Sequence, residues 1–405
     1  MSENTVLLGK YELIRYSLGS LLSFTDIATD VLTAIIYYQQ KHFVWFGFCL
    51  LFALLPSFLL TIAFLIQSCG RVAISTLMKQ IMFFASPCGS GVLKVKLLFV
   101  CLQNYDEVCC IEGFRIDDEN LREDYRAEKI YHYVEGLLEN MPQIILQIYV
   151  TVIQDEQISA VQMFSISVTY LNLVWILTLF EYGCLVVNQT KITPFVIIVV
   201  YNACLIASRG LSIVSFLVAF QWLTSIVLAF HGFVCTSIYF YRNHEYFTEK
   251  KIWWIASLLM PCYIFVYMGF KVKELDSKFF DIKLGRSVIS SSLFYVCFIA
   301  ENILMTSLFF AWTKTTHRNW SQWVSNIIMI LVTVFSLLGT LMHLLFTHAY
   351  LRKPHRVSPT YGQQITDPIG DFAGISQSLS HLKTRGFVSN FSLLEVQNAT
   401  TMQCR

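Results

Sequence analysis

Carboxylates at helical spacing inside apolar segments are the residues of this sequence most able to do chemistry. The stretch FTDIATDVL places Asp26 and Asp30 one turn apart in the first apolar run, and Glu135 and Glu139 repeat the spacing in a later run. Each pair therefore lies on one helix face. An Asp costs about 2.5–3.5 kcal/mol at a bilayer centre, whereas each Leu, Ile, Phe or Val returns only about 0.3–0.6 kcal/mol. Such a cost indicates a polar pathway or, alternatively, polar contacts that hold helices together.

Other polar residues fall at similar depth in apolar runs. The candidate pathway residues are Asp26, Asp30, Glu135, Glu139, Gln143, Arg209 and Glu301. Because the acidic members outnumber Arg209, either several stay protonated or they face water or a charged ligand. We also expect a buried pair between Glu139 and Arg209. Pro142 cannot donate to the carbonyl of residue 138, so it should kink the helix beside Glu139.

The composition restricts the class of protein. The chain has 405 residues, of which 55% are hydrophobic and only 14% charged, against about 25% charged residues in soluble domains. A net charge of +2 gives no electrostatic basis for binding nucleic acid. The twelve cysteines have no zinc-ligand spacing, and HExxH, GxSxG and phosphate-loop motifs are absent. We expect no catalytic residue, metal or cofactor, and hence no enzyme.

These residues must be positioned by an all-α polytopic membrane fold, because apolar runs of about 20 residues mark membrane spans. Two shorter runs, 76–102 and 252–270, contain proline or glycine breaks and indicate re-entrant hairpins packed inside protein. Ten full spans are the alternative, and the two halves resemble parallel four-helix repeats. The eight predicted spans are 11–38, 43–67, 130–153, 158–181, 195–219, 221–241, 288–312 and 322–349.

Lys and Arg predict the orientation of these spans. With a cytosolic N-terminus, the outer loops hold Lys41, Lys314 and Arg318, Arg209 lies within a span, and the other 25 of the 29 Lys and Arg residues are cytosolic. Both termini are then cytosolic. The halves are residues 1–181, with a charged cytosolic loop at 103–129, and 182–350, followed by a cytosolic tail at 351–405.

Two residues are expected at the outer surface. The sequon at Asn319 faces outward and is a candidate glycosylation site. Trp45 lies at the outer end of the second span, where it is an aromatic-belt residue on the simplest interpretation and a gate candidate on the other.

Four segments together resemble the XK-related membrane protein family over roughly residues 11–350. They are FTDIATDVL, YHYVEGLLENMPQIILQIYV, ASRGLSIVSF and FIAENILM. The resemblance implies a plasma-membrane phospholipid scramblase, because the apoptotic branch of that family exposes phosphatidylserine after caspases cut a terminal tail. Executioner caspases are then partners. The family's red-cell namesake works with a partner protein, so a single-span partner subunit is a further possibility.

A scramblase gives the buried charges a role. Acidic side chains would receive a headgroup amine and Arg209 a phosphate, in an ATP-independent, bidirectional process. A small-solute or proton-coupled transporter and a non-transporting scaffold subunit are the alternatives.

The tail holds two Asp residues. Pro368 blocks cleavage after Asp367, which leaves Asp371 as the predicted caspase site.

Overall fold

The computed structural model is a bundle of helices. It describes residues 6–8, 10–68, 89–109, 114–116, 121, 128, 132, 135–154, 159–185, 192–242, 264, 271–275, 279–283, 288–316, 322–347 and 349. The helices of this part of the chain are α1 (Lys10–Gln39), α2 (Phe43–Ser68), α3 (Gly89–Gln103), α4 (Tyr105–Cys109), α5 (Met141–Ile153), α6 (Ala160–Leu185), α7 (Ile192–Phe220), α8 (Trp222–Arg242), α9 (Val288–Thr316) and α10 (Gln322–Phe346). A π-helical turn, Gly136–Asn140, directly precedes α5.

Two short antiparallel strand pairs accompany the helices. Strand β1 (Val6–Leu8) pairs with β2 (Phe114–Ile116), and β3 (Lys271–Leu275) pairs with β4 (Phe279–Lys283). The first pair ties the start of the chain to the charged loop that the sequence predicts to be cytosolic.

Within the described residues, six helical segments are long and apolar enough to cross a membrane, so the chain is a multi-pass membrane protein. They are Glu12–Gln39, Gly136–Ile153, Ala160–Tyr182, Thr193–Phe220, Phe294–Thr315 and Trp323–Phe346. Shorter apolar segments, Phe43–Leu59 and Trp222–Ile238, lie in α2 and α8. Each of the eight predicted spans thus coincides with a described helix, while the count of eight spans stays a prediction.

The two predicted re-entrant hairpins are not tested. Residues 89–103 of the first segment form α3, and its earlier part lies outside the described residues. Of the second segment, 252–270, only residue 264 is described.

The distribution of side chains is inverted relative to a soluble protein. Large apolar side chains such as Leu21, Val31 and Phe230 are exposed, whereas carboxyl, amide and guanidinium groups are buried. A lipid environment explains this pattern, because apolar side chains can face lipid tails and polar groups must then find partners inside the protein. The polar groups gather where α1 packs against α2, α3 and α6, and where α7 packs against α9 and α10.

Candidate functional site

One face of α1 carries polar or small residues along its whole length. Consecutive members alternate four and three residues apart, which keeps them on a single helix face. From Glu12 to Tyr37 this face extends about 38 Å at 1.5 Å per residue, longer than the roughly 30 Å hydrocarbon core of a bilayer. We call it the α1 stripe, and all of its members are buried: Glu12, Tyr16, Gly19, Ser23, Asp26, Asp30, Thr33 and Tyr37.

Asp26 is held by helix α6. Its Oδ1 accepts a hydrogen bond from Thr169 Oγ1 at 2.7 Å, and its Oδ2 accepts one from Asn172 Nδ2 at 2.8 Å. Thr169 and Asn172 are three residues apart, so they lie on the same face of α6. Both carboxyl oxygens of Asp26 are therefore satisfied by α6, although the acid is only 2% exposed.

Asp30, one turn along the stripe, connects three helices. Gln147 Nε2 of α5 donates to Asp30 Oδ1 at 3.1 Å and to Ser165 Oγ of α6 at 3.0 Å. The predicted pathway residue Gln143 lies one turn before Gln147, and its Nε2 donates to Cys49 Sγ of α2 at 2.9 Å. Gln143 and Gln147, four residues apart on α5, thus lie on the face of α5 that contacts the α1 stripe and α2.

Glu135 has a cationic neighbour that the sequence analysis missed. Lys94 Nζ of α3 lies 3.8 Å from Glu135 Oε2 and donates to Ser23 Oγ of the α1 stripe at 2.5 Å. His132 Nδ1 lies 3.4 Å from the same carboxyl oxygen. Lys94 follows Gly89 and Gly91 in an apolar run. A cation embedded in that run was the available signal.

Glu139 lies in the π-helical turn and is buried. It interacts electrostatically with Asp26, Asp30, Glu135 and Lys94. Among the residues that the structure describes, four acidic side chains of this half therefore share the neighbourhood of one lysine. A π-helical turn lies at Glu139, and Pro142 stands in the first turn of α5. The kink at Pro142 stays a prediction.

A second ion pair lies at one end of the stripe. Arg15 Nη2 donates to Glu128 Oε2 at 2.6 Å, and both side chains are buried. The Arg15 guanidinium also lies 5.1 Å from the centre of the Tyr16 ring. This contact joins α1 to the charged segment that the sequence places on the cytosolic side.

Arg209 has a different partner from the one predicted. Its Nη2 lies 3.1 Å from Glu301 Oε2 of α9, and its Nη1 donates to Asn302 Oδ1 at 2.9 Å. The prediction of a pair with Glu139 was wrong, because α7 packs most extensively against α9 and α10 and turns Arg209 toward them. His231 Nδ1 of α8 lies 2.8 Å from the same Glu301 oxygen.

Arg209 is enclosed on its other sides as well. Its Nε donates to the carbonyl of Ile264 at 2.8 Å, and its guanidinium lies 5.2 Å from the centre of the Phe298 ring. The side chain is fully buried, while Glu301 is partly exposed. The structure therefore divides the predicted pathway residues into an acidic group around α1 and a separate Arg209–Glu301 group.

Trp45 packs where the Tyr37 end of the α1 stripe meets α2. Its ring centre lies 6.1 Å from that of Tyr37 and 4.3 Å from that of His42. Cys49, one turn further along α2, accepts the hydrogen bond from Gln143. Trp45 is thus adjacent to the polar interior, and its role as a gate stays a prediction.

Two predicted sites lie outside the described residues. They are the glycosylation candidate Asn319 and the caspase site Asp371. Among the residues that the structure does describe, no group of three or more His, Cys, Asp or Glu side chains is arranged to hold a metal ion.

The family model of XK-related proteins matches residues 15–350 of this chain. The chain belongs to the XK-related family. The match begins at Arg15 of α1 and ends just beyond α10. It therefore includes every pathway residue described above, and it ends before the tail that contains Asp371.

Proposed function

We propose that this XK-related protein is a plasma-membrane phospholipid scramblase that moves lipids in both directions without ATP. It exposes phosphatidylserine during apoptosis. It performs no covalent chemistry on the lipid and needs no cofactor. Its ligands are phospholipids, and its further partners are an executioner caspase and a single-span subunit.

The α1 stripe is the observation that carries this proposal. A lipid that changes leaflets must bring its headgroup across roughly 30 Å of hydrocarbon, where an unsolvated charge is very costly. A polar face of greater length offers replacement contacts at every depth. Asp26, Asp30, Glu135 and Glu139 suit a headgroup amine, since ionised acceptors form the stronger hydrogen bonds.

The phosphate of the headgroup needs donors. Arg209 suits it, since a guanidinium binds phosphate in a bidentate manner. In the present arrangement Arg209 is held by Glu301, so phosphate would have to compete with that carboxyl. The partial exposure of Glu301 favours such an exchange at the protein surface rather than in the interior.

The packing supports a resting state. Asp26 and Asp30 are hydrogen-bonded to α6 and α5, so a headgroup reaches them only when α1 separates from these helices. Trp45 is proposed to gate the outer end of this route. Caspase cleavage after Asp371 is proposed to release the tail and favour the separated state.

Reconstitution into liposomes tests this function against its alternatives. Full-length and caspase-treated protein are compared using fluorescent phospholipids in both leaflets and a quencher outside. Quenching of more than half of the fluorescence supports scrambling. Uptake of solutes or protons without lipid movement would support a transporter, and the absence of both from cleaved protein would support a scaffold subunit.

A further inference from the structure

A thiol, an imidazole and a carboxyl group form a connected series beside Arg209. Cys235 Sγ lies 3.6 Å from His231 Nε2, and His231 Nδ1 lies 2.8 Å from Glu301 Oε2. Cys235 and His231 are four residues apart on α8, which places them on one helix face, while Glu301 belongs to α9. Two direct side-chain contacts therefore bring the three groups together.

The contacts of the imidazole decide which of its nitrogen atoms carries the proton. Glu301 Oε2 also lies 3.1 Å from Arg209 Nη2, and a carboxylate paired with a guanidinium can only accept hydrogen bonds. A neutral His231 ring must then carry its hydrogen on Nδ1 and donate it to Glu301. Its Nε2 is the acceptor, and the S–H group of Cys235 is the donor that faces it.

This order of groups is the one that activates a nucleophile. A nucleophilic side chain within reach of a base, with the base oriented by a third group, is the geometric signature of an activated nucleophile. The thiolate is the reactive form of cysteine. Transfer of the Cys235 proton to His231 gives a thiolate beside an imidazolium without any change in net charge. Arg209 also interacts electrostatically with Cys235, so a second cation favours the thiolate.

The Cys235 thiol is accessible from the lipid side of α8. The side chain of Cys235 is partly exposed, and the large apolar side chains Phe230, Phe233 and Ile238 of the same helix are exposed. Ile238 follows Cys235 by three residues, so the exposed surface continues along the face that carries the thiol. A reagent that reaches this thiol from the exposed surface must therefore dissolve in hydrocarbon.

This location selects the class of reagent. Charged oxidants and hydrophilic disulfides do not enter the hydrocarbon core at low cost. Aldehydes released from oxidised polyunsaturated acyl chains do enter it, because they keep an alkyl chain. Those with a carbon–carbon double bond next to the carbonyl group are soft electrophiles, and a polarisable thiolate attacks them at the β-carbon.

We propose that Cys235 is a site of covalent modification by lipid-derived α,β-unsaturated aldehydes. The thiol proton passes to His231 Nε2, and the sulfur forms a bond to the β-carbon. The electron pair of the double bond moves toward the carbonyl group, and the resulting enolate takes the proton back from His231. A thioether forms, no group leaves, and no oxidant or reductant is needed. This site goes beyond lipid movement and does not depend on it.

Cys297 of α9 provides an internal control in the same molecule. It is more exposed than Cys235, and within the described part of the chain its thiol has no hydrogen bond. Purified full-length protein in nanodiscs is treated with an alkyne-tagged hydroxynonenal below one equivalent. Peptide mass spectrometry then measures the adduct at each cysteine over time. We expect Cys235 to react about tenfold faster than Cys297 or more, because only Cys235 faces a base.

A variant of the base separates its chemistry from its packing. In His231→Gln the amide can still donate to Glu301, but it cannot take the thiol proton. The adduct at Cys235 should therefore form about tenfold more slowly or less, while the rate at Cys297 stays unchanged. His42→Gln makes the same change beside Trp45 and should leave the rate at Cys235 as in wild type. If His231→Gln does not fold, the comparison of Cys235 with Cys297 in the wild-type protein still decides the matter.

Two results would overturn the proposal. One is a rate at Cys297 equal to or above the rate at Cys235, which would show that exposure alone governs the reaction. The other is an unchanged rate at Cys235 in a folded His231→Gln variant. Lipid scrambling is measured separately in liposomes, so its failure would leave the result on Cys235 unaffected.

Discussion

The Arg209 guanidinium of α7 and the Glu301 carboxyl of α9 lie 3.1 Å apart, and Arg209 is fully buried. Asn302, the neighbour of Glu301, also accepts a hydrogen bond from Arg209 and donates to Ser336 of α10 at 3.3 Å. One cation thereby connects three helices of the second half. Among the described residues its counter-charge is Glu301, because the other groups that accept from it, the Asn302 amide and the Ile264 carbonyl, are uncharged.

Removing Glu301 alone should destabilise the protein more than removing both partners. Glu301→Gln leaves the buried Arg209 without its counter-charge, which costs about 3–5 kcal/mol, whereas Arg209→Leu should cost less because Glu301 is partly exposed and keeps His231 beside it. The double variant Arg209→Leu with Glu301→Gln should recover part of this loss. Thermal midpoints by fluorescence-detected size-exclusion chromatography measure the effect. Losses that simply add in the double variant would show that the two charges do not stabilise each other.

The acidic residues of the α1 stripe should matter more to lipid movement than to folding. Asp26→Asn with Asp30→Asn removes two charges and keeps the shape, so membrane insertion should not suffer. Asn172 can reverse its amide to accept from the amide introduced at position 26, because the Asn172 oxygen has no partner among the described residues. Each lost charge-assisted contact of about 1.5–3 kcal/mol should slow flipping by about tenfold or more.

The control removes two charges elsewhere. Asp106→Asn with Glu107→Gln acts on exposed residues of α4 and should leave both surface expression and flipping unchanged. Normal flipping by the Asp26 and Asp30 double variant, at normal expression, would contradict a role for these residues in the lipid route and favour a role in helix packing.

The sequence predicted which faces are polar better than it predicted which groups meet. Helical spacing alone places Asp26 with Asp30, and Gln143 with Gln147, because 3.6 residues per turn fix the face. Partners on other helices depend on which helices pack together, and this is why Glu139 was wrongly paired with Arg209. Thr169 and Asn172 escaped notice because single polar residues are common in apolar helices. Lys94 was missed because its segment was interpreted as a re-entrant hairpin rather than as a helix that packs beside the acidic residues.

The close packing of the π-helical turn against α6 should require glycine at position 136. A Cβ at this position would lie 2.7 Å from Ile176 Cγ2 and 3.0 Å from Ile176 Cδ1 of α6. Gly136→Ala should therefore destabilise the protein by about 1–3 kcal/mol through overpacking. Gly47→Ala in α2 is the matched control. Nothing lies within 4 Å of its added Cβ, so the better helix propensity of Ala should leave stability equal or slightly higher. Equal thermal midpoints for the two variants would contradict the close contact between Gly136 and Ile176.

Cleavage of the tail should control lipid exposure through Asp371. The tail contains only Asp367 and Asp371 as caspase candidates, and Pro368 directly after Asp367 cannot occupy the subsite beyond the cut. Asp371 is followed by Phe372 and lacks an Asp three residues earlier, so we expect cleavage slower than at a preferred caspase sequence. An executioner caspase added to purified protein should yield a new N-terminus at Phe372, identified by fragment sequencing. Cells that express Asp371→Ala should fail to expose phosphatidylserine during apoptosis, whereas Asp367→Ala cells should behave as wild type. An uncut tail, or normal exposure in the Asp371→Ala cells, would show that the switch lies elsewhere.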